Sequence, residues 1–197
     1  RDPEMSRGLG DVYKRQSDSS MMACLKHFAL YGASESGRDY NRTDMSRVQM
    51  FNEYLPPYRA AVEAGVGTVM TSFNTINGIP ATTNKWLIDD VLRKQWGFEG
   101  MVVTDYNSIG EIDIHGIAPL KEAGIMAMNA GTDMDMVAQS FLNPMEEAVN
   151  EGKVSKARID EACRRVLKMK YKLGLFENPY KSVSYTHLRA HETSQDL

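Results

Sequence analysis

Apolar and polar positions along this chain switch repeatedly between a strand-like run and a helical repeat. Met21-Met22-Ala23-Cys24-Leu25 is a short apolar run closing on Lys26-His27-Phe28, and a loop rich in Gly, Ser and charge follows from Gly32 to Asn41. That pattern predicts a strand emptying into a long polar loop. Ser46 with Gln49 three residues on is a capping-box pattern, and Val48, Phe51, Leu55 and Tyr58 then repeat at helical spacing. Pro56-Pro57 is expected to break or kink this helix before Tyr58 to Ala64 resumes it. Val66 to Phe73 predicts the next strand, ending on Ser72-Phe73-Asn74, with the turn-prone Asn77-Gly78-Ile79-Pro80 after it. Asn84 caps a predicted helix through Gln95, with Leu87, Ile88, Val91, Leu92 and Trp96 on one face.

The central run is Met101-Val102-Val103, bounded by Gly100 and ending abruptly on Thr104-Asp105-Tyr106-Asn107. A β-branched apolar run of this kind suits a strand buried on both faces. Ile117 to Ala123 then reads as a short helix, Ala127 to Ala130 as a strand leading to Gly131-Thr132-Asp133-Met134-Asp135, and Asn143 to Asn150 as a helix. The last helix begins after Ser155, holds Ile159, Ala162, Cys163, Val166 and Leu167 in register, and stops around Gly174. Strand and helix alternate four times, which argues for parallel βα units: half of an eight-stranded barrel, or most of a small doubly wound sheet.

The strand ends help to choose. They carry Lys26-His27, Ser72-Phe73-Asn74, Asp105-Tyr106 and Asn129. A barrel gathers all its strand ends around one mouth, whereas a doubly wound sheet uses mainly its switch point. No Gly-rich phosphate fingerprint follows a strand, since Gly97-Phe98-Glu99-Gly100 precedes one. The expected fold class is α/β, the C-terminal half of a truncated (β/α)8 TIM-type barrel.

Composition changes this picture only at the ends. The chain has 197 residues, a net charge of -3 and 42% hydrophobic residues, the make-up of one soluble globular domain. It is not basic enough to suggest nucleic acid, and no apolar run approaches membrane-spanning length. Cys24 and Cys163 lie in unrelated segments and read as buried free thiols. The thirteen Met residues read mostly as core filler, with Met134 and Met136 near the mouth. Gly8 to Gln16 and Val183 to Thr193 resemble the two translations of a transposon-type sequencing adapter. The expected organisation is therefore a non-native tail over 1–16, a genuine segment over 17–181 that is cut at both ends, and a second tail over 182–197. On that reading His187 and His191 near Glu192 are not a metal site, and the missing signal-peptide core says nothing about localisation.

Asp105 heads the candidate chemistry, because a carboxylate at the C-terminal end of a strand is where α/β barrels place catalysis; the competing role is a helix N-cap. Lys26 is a solvated strand-end lysine, a pocket residue or a Schiff-base lysine of a barrel aldolase. His27 is structural or, beside Lys26, functional. Arg38 reaches a pocket or only water, His115 after Glu111 and Asp113 is a metal ligand or a surface histidine, and Asp133 and Asp135 cap or pair at the last strand.

Taken together, Lys26-His27-Phe28-Ala29-Leu30-Tyr31-Gly32, Tyr40-Asn41, Leu55-Pro56-Pro57-Tyr58, Val69-Met70-Thr71-Ser72-Phe73-Asn74 to Asn77-Gly78, Trp96-Gly97-Phe98 to Gly100, and Val103-Thr104-Asp105-Tyr106 resemble family 3 glycoside hydrolases, in order and spacing, from about Met21 to Tyr180. The likeness is to the bacterial β-glucosidases of the family, many of them periplasmic. It implies that Asp105 is the catalytic nucleophile and that Lys26 and His27 hydrogen-bond hydroxyls of the innermost sugar. Met70 and Phe73 match a Met-x-Ser-Tyr-Asn pattern whose aromatic lies near the nucleophile, and Tyr106 completes the substrate-binding set. Phe73 departs from the usual Tyr, so a phenolic hydrogen bond is lost and packing is its expected role.

The chemistry is coherent with these residue types. A retaining glycosidase needs an ionised carboxylate to attack the anomeric carbon and a protonated one about 5 Å away to assist the leaving group. Asp105 beside the Lys26 ammonium suits the first. The family's N-acetylglucosaminidase branch carries a second His after the Lys-His-Phe motif, and Leu30-Tyr31 stand there instead. In the β-glucosidase branch the acid is a Glu from a following domain, which Glu99, Glu111 and Glu122 do not match. The resemblance therefore implies hydrolysis of terminal non-reducing β-D-glucosyl residues by a longer parent, with the fragment inactive alone. Expected partners are a small oligosaccharide or glycoside, a missing upstream half-barrel and a missing downstream domain; no cofactor, metal, nucleic acid or membrane is expected, and the family suggests a periplasmic or secreted protein. β-Xylosidase activity, a Lys26 aldolase and a non-catalytic carbohydrate-binding remnant are the alternatives.

Overall fold

A computed structural model of the chain describes residues 22–179. The expected tails over 1–16 and 182–197, with His187 and His191, lie outside the described residues. Strands β1 (Cys24–Phe28), β2 (Thr68–Thr71) and β5 (Met101–Val103) form a parallel sheet in the order β1-β2-β5. Met134 adds a single parallel bridge to Val103 at the β5 edge. A small antiparallel hairpin, β3 (Thr75–Ile76) with β4 (Ile79–Pro80), turns through Asn77 and Gly78, both at positive φ; the Asn-Gly pair is suited to that turn. The fold is thus mixed α/β with a parallel sheet.

Helical connections return the chain between strands. Ser46 caps α1 (Arg47–Gln49), its side chain accepting from Gln49 N, and the coil widens into a π-helical stretch, Met50–Tyr54. The break expected at Pro56-Pro57 falls at Leu55, and α2 (Pro56–Glu63) starts with Pro in its first turn, where a missing N–H costs nothing. Helix α3 (Trp86–Gln95) has π-type hydrogen bonding, and Asn84 Oδ1 accepts from Leu87 N at 3.1 Å, as the capping expectation requires. Leu87, Ile88, Val91 and Leu92 of α3 are buried with Val69, Val102 and Phe28 of the sheet, forming the main core.

Two expectations need correction. Ala127 to Ala130 is not a strand; it closes α5 (Leu120–Ala130). Ala123, Gly124, Ala127 and Met128 are buried at helical spacing, so one apolar face runs through the whole segment, and Gly131 at φ 112 ends it. The fourth strand is consequently reduced to the Met134 bridge, and Asn129 lies on α5, donating to the Lys153 carbonyl. The second correction concerns cysteine: Cys24 and Cys163 are both exposed. Unforeseen in the sequence, α4 (Ser108–Ile114) follows β5 directly and packs Ile109 and Ile112 on Ala123 and Ala127. Helices α6 (Asn143–Asn150) and α7 (Lys156–Lys172, capped by Ser155) complete a second cluster with α5 around Met128, Met145 and Ala162.

A buried charge cluster ties the last helix to the sheet. The Asp133 side chain has 0% exposure. It accepts from Arg93 (2.5 Å), Arg158 (2.8 Å), Arg165 (3.0 Å) and Val102 N (2.9 Å). Burial pulls the Arg93 guanidinium down to about 10, Asp133 opposing and Arg165 and Arg158 adding to the fall. Asp133 therefore pairs, one of its two expected roles, while Asp135 accepts from the backbone and hydroxyl of Ser140.

Candidate active site

The site is built from the C-terminal tips of the three strands. Between Leu25↔Val69 and Phe28↔Thr71 the β1–β2 register shifts, so Lys26 and His27 together stand opposite Met70 alone. A bulge of this kind re-aims the side chains it carries. Met70 pairs in turn with Val103, two residues before Asp105. This register brings Lys26, His27, Met70 and Asp105 to one end of the sheet.

His27 Nε2 lies 3.3 Å from Asp105 Oδ2, with the two side chains 33% and 15% exposed. The other carboxylate oxygen, Oδ1, accepts from Tyr106 N at 2.6 Å. With a partner on each oxygen the plane of the carboxylate is fixed. Asp105 does not cap α4: the residue at that cap is Asn107, in the left-handed region, and the carboxylate makes no capping bond. Tyr58 donates its hydroxyl to the His27 carbonyl at 2.6 Å, and burial pushes that phenol up. Lys26 is exposed, and among the described residues the side chain placed against the Asp105 carboxylate is His27, not Lys26. Partial burial of the Cys24 thiol pushes it above its ordinary value, with Thr68 and Lys26 opposing the rise and Asp105 adding to it.

Phe73 packs its ring 4.6 Å from Tyr40 and 6.1 Å from Tyr31, and Tyr31 stands edge-on to His27 at 5.5 Å. The Tyr106 side chain is exposed beside Asp105. Under the site runs a line of buried hydroxyls, Thr71 to Thr82 to Ser108, each link 2.9 Å. It joins the β2 tip to the first residue of α4. Scattered Ser and Thr at unrelated positions carry no sequence signal for such a line, which is why sequence reasoning missed it. His115 is exposed with its Nε2 3.5 Å from Glu111, and Arg38 is exposed; among the described residues no three metal-ligating side chains converge.

Residues 2–169 match the family model for the Glycosyl hydrolase family 3 N terminal domain. The chain belongs to glycosyl hydrolase family 3. Among its relatives are a periplasmic β-glucosidase of Salmonella typhimurium, 46% identical over 82% of this chain and 21% of that protein, and a β-xylosidase of Formosa agariphila, 37% identical over 89% and 26%. A crystal structure of a β-glucosidase from Listeria innocua in complex with glucose superposes with a TM-score of 0.84 at 42% identity, covering 92% of this chain and 26% of that one. This family 3 chain thus spans about a fifth to a quarter of the relatives it matches. No described helix is long and apolar enough to cross a membrane.

Proposed function

We propose that this family 3 chain is the C-terminal half of a (β/α)8 barrel from a retaining exo-β-glucosidase, with Asp105 as the nucleophile. The observation that carries the reading is the His27–Asp105 contact of 3.3 Å between two strand tips of one parallel sheet. In the reaction, Asp105 attacks the anomeric carbon of a terminal β-linked sugar as the aglycone departs, and water then hydrolyses the glycosyl ester. The hydrogen bond from Tyr106 N and the contact of His27 hold the carboxylate in one orientation, which saves the entropy of aligning it for attack. Lys26 and the free edge of His27 donate to sugar hydroxyls, contacts that strengthen as oxocarbenium character grows. Met70, Phe73 and Tyr106 line the pocket. The proton for the leaving group comes from a carboxylic acid outside this chain, in the remainder of the parent.

We also propose, from the adapter-like ends, a family 3 segment over 17–181 with non-native tails, although the family-model match over 2–169 runs into the first of them. A periplasmic or secreted parent is supported by the Salmonella relative. A second sugar specificity is suggested by two Formosa relatives, one named a β-xylosidase at 37% identity and one a putative β-xylosidase at 38%. The test uses the full reading frame. A 2-deoxy-2-fluoro-β-glucoside should label Asp105, and Asp105→Asn should abolish turnover of aryl β-glucosides. Labelling of any other carboxylate refutes the nucleophile assignment, and faster turnover of the aryl β-xyloside selects the second specificity.

A further inference from the structure

The short turn after the β3–β4 hairpin grips the Asp105 loop from both sides. Ala81–Thr83 is a buried 3-10 turn, closed by Asn84 N donating to the Ala81 carbonyl at 3.2 Å. The Thr83 hydroxyl donates to the Pro80 carbonyl at 3.2 Å, and Ala81 N to the Asn74 carbonyl at 3.1 Å, so Thr82 sits on a pinned backbone. Its hydroxyl shares one hydrogen bond with Thr71 and one with Ser108, each 2.9 Å. Its carbonyl accepts from the Thr132 hydroxyl at 3.0 Å. Thr71 and Thr132 are 0% exposed, Thr82 1% and Ser108 4%; further chain from the parent can only bury them more. These contacts reach both flanks of residues 104–108. On one flank, Ser108 opens α4 and its N–H donates to the Asp105 carbonyl at 3.1 Å. On the other, Thr132 leads into Met134 to Met136. There the Met134 carbonyl accepts from Thr104 N at 3.0 Å, Met136 N donates to the Thr104 hydroxyl at 2.8 Å, and the Met136 carbonyl accepts from Asn107 N at 2.9 Å.

We propose that Thr82 is a positioning residue for Asp105, fixing the backbone of residues 104–108 against the β2 tip so that the carboxylate meets the anomeric carbon in attacking geometry. The inference rests on the reading of Asp105 as a glycosidase nucleophile. Tyr106 N and His27 orient the carboxylate within its loop. Thr82 places the loop itself. Apolar side chains of the same shapes would fill this space at little cost, because a buried hydrogen-bonded pair gains little net stability over an apolar pair. What a satisfied buried network adds is one specified arrangement of the elements it joins. That matters most where geometry sets a rate, since a misplacement of about 1 Å can cost about a hundredfold.

The experiment inactivates the full-length parent with a 2-deoxy-2-fluoro-β-glycosyl fluoride, of glucose or xylose according to which sugar the wild type cleaves. At saturation the inactivation constant is first order, so it reports attack by folded enzyme whatever fraction of the preparation is folded. Thr82→Val should lower that constant about tenfold and leave the half-saturating concentration within about twofold, while Thr82→Ser keeps both near wild type. Ser108→Ala removes the other end of the same hydrogen bond and should lower the constant similarly; it carries the test where Thr82→Val does not fold. Asn84→Ala, in the same segment but outside the hydroxyl network, is the control for general destabilisation and should leave the constant unchanged. A constant within about twofold of wild type in either network variant overturns the positioning role, as does an equal fall in Asn84→Ala. Label on Asp105 in the wild type leaves the nucleophile reading standing in those cases. Label on another carboxylate refutes that reading, and the positioning role with it.

Discussion

Replacing Asp133 by Asn removes one charge from a cluster that cannot replace it. The carboxylate is fully buried and accepts four hydrogen bonds, three of them from guanidinium groups that are themselves 8%, 13% and 16% exposed. An asparagine keeps one acceptor oxygen and turns an NH2 group toward cations. Removing one partner of a buried ion pair costs about 3–5 kcal/mol. Two features pull toward the lower end: Arg158 and Arg165 retain Glu161, and Arg93 retains the carbonyls of Phe98, Gly100 and Gly131. We expect a loss of about 3 kcal/mol, which at a urea slope of about 2 kcal/mol/M lowers the midpoint by about 1.5 M. Pulse proteolysis in urea reads this on the chain and on its full-length parent, since it reports cleavage of the opened segment. Adding Arg93→Met should recover part of the loss, because the double variant buries one unpaired cation fewer. A midpoint shift below about 0.3 M for Asp133→Asn, or strictly additive losses in the double variant, would refute the electrostatic account. The exposed Lys156–Asp160 pair serves as control, and Lys156→Ala should leave the midpoint where it is.

Further outcomes follow from single contacts. Tyr58→Phe loses the bond to the His27 carbonyl, about 1 kcal/mol near neutral pH. Because burial raises the Tyr58 phenol in the folded state, its contribution is complete below the ordinary tyrosine value near 10 and is lost as pH climbs above it. The variant's urea midpoint should therefore fall less steeply with pH above 10 than wild type, and an equal slope would count against this role. Asn84→Ala removes the cap of α3 and should cost about 1 kcal/mol, measured as a midpoint shift that Asn84→Ser largely avoids. Gly100→Ala places a methyl against the Gly67 carbonyl oxygen and the Phe98 ring, so β5 must shift away from β2; soluble yield and tryptophan emission should both change, and a variant indistinguishable from wild type refutes the close approach. The chain by itself should not turn over aryl β-glucosides, and a stable, active monomer refutes the proposal that a half-barrel is only part of the catalyst.

What the sequence conveyed depended on the kind of signal. Ser46, Asn84 and Ser155 were readable as caps because capping is a contact over three residues, within the reach of local pattern. The strands through Val69 and Val102 were readable because the inner strands of a parallel sheet are covered on both faces, which leaves unbroken apolar runs, whereas β1 leaves Cys24 and Lys26 exposed. Ala127 to Ala130 misled for the same reason: a short apolar stretch looks alike in a buried helix and a buried strand, and only the face shared with Ala123 and Gly124 decides it. The exposed cysteines show that position on an apolar stripe does not ensure cover. In the site, Asp105 and its neighbours were legible as residue types at strand ends. The bulge that sets Lys26 and His27 against Met70 was not, nor was the choice of His27 over Lys26 beside the carboxylate, because both depend on pairing across more than forty residues.

The Asp133 cluster also sets an order of events during synthesis. Arg93 precedes Asp133 by 40 residues, whereas Arg158 and Arg165 follow it by 25 and 32. At translation rates of about 5–20 residues per second, some 2–6 s separate the emergence of the carboxylate from that of its last partner. During that interval the β5 edge, which Asp133 joins through Val102, has one of its three guanidinium clasps. A nascent chain halted before α7 would hold its sheet with that edge unlatched, so ribosome pausing or a stop codon in this interval should favour chaperone capture of the nascent segment.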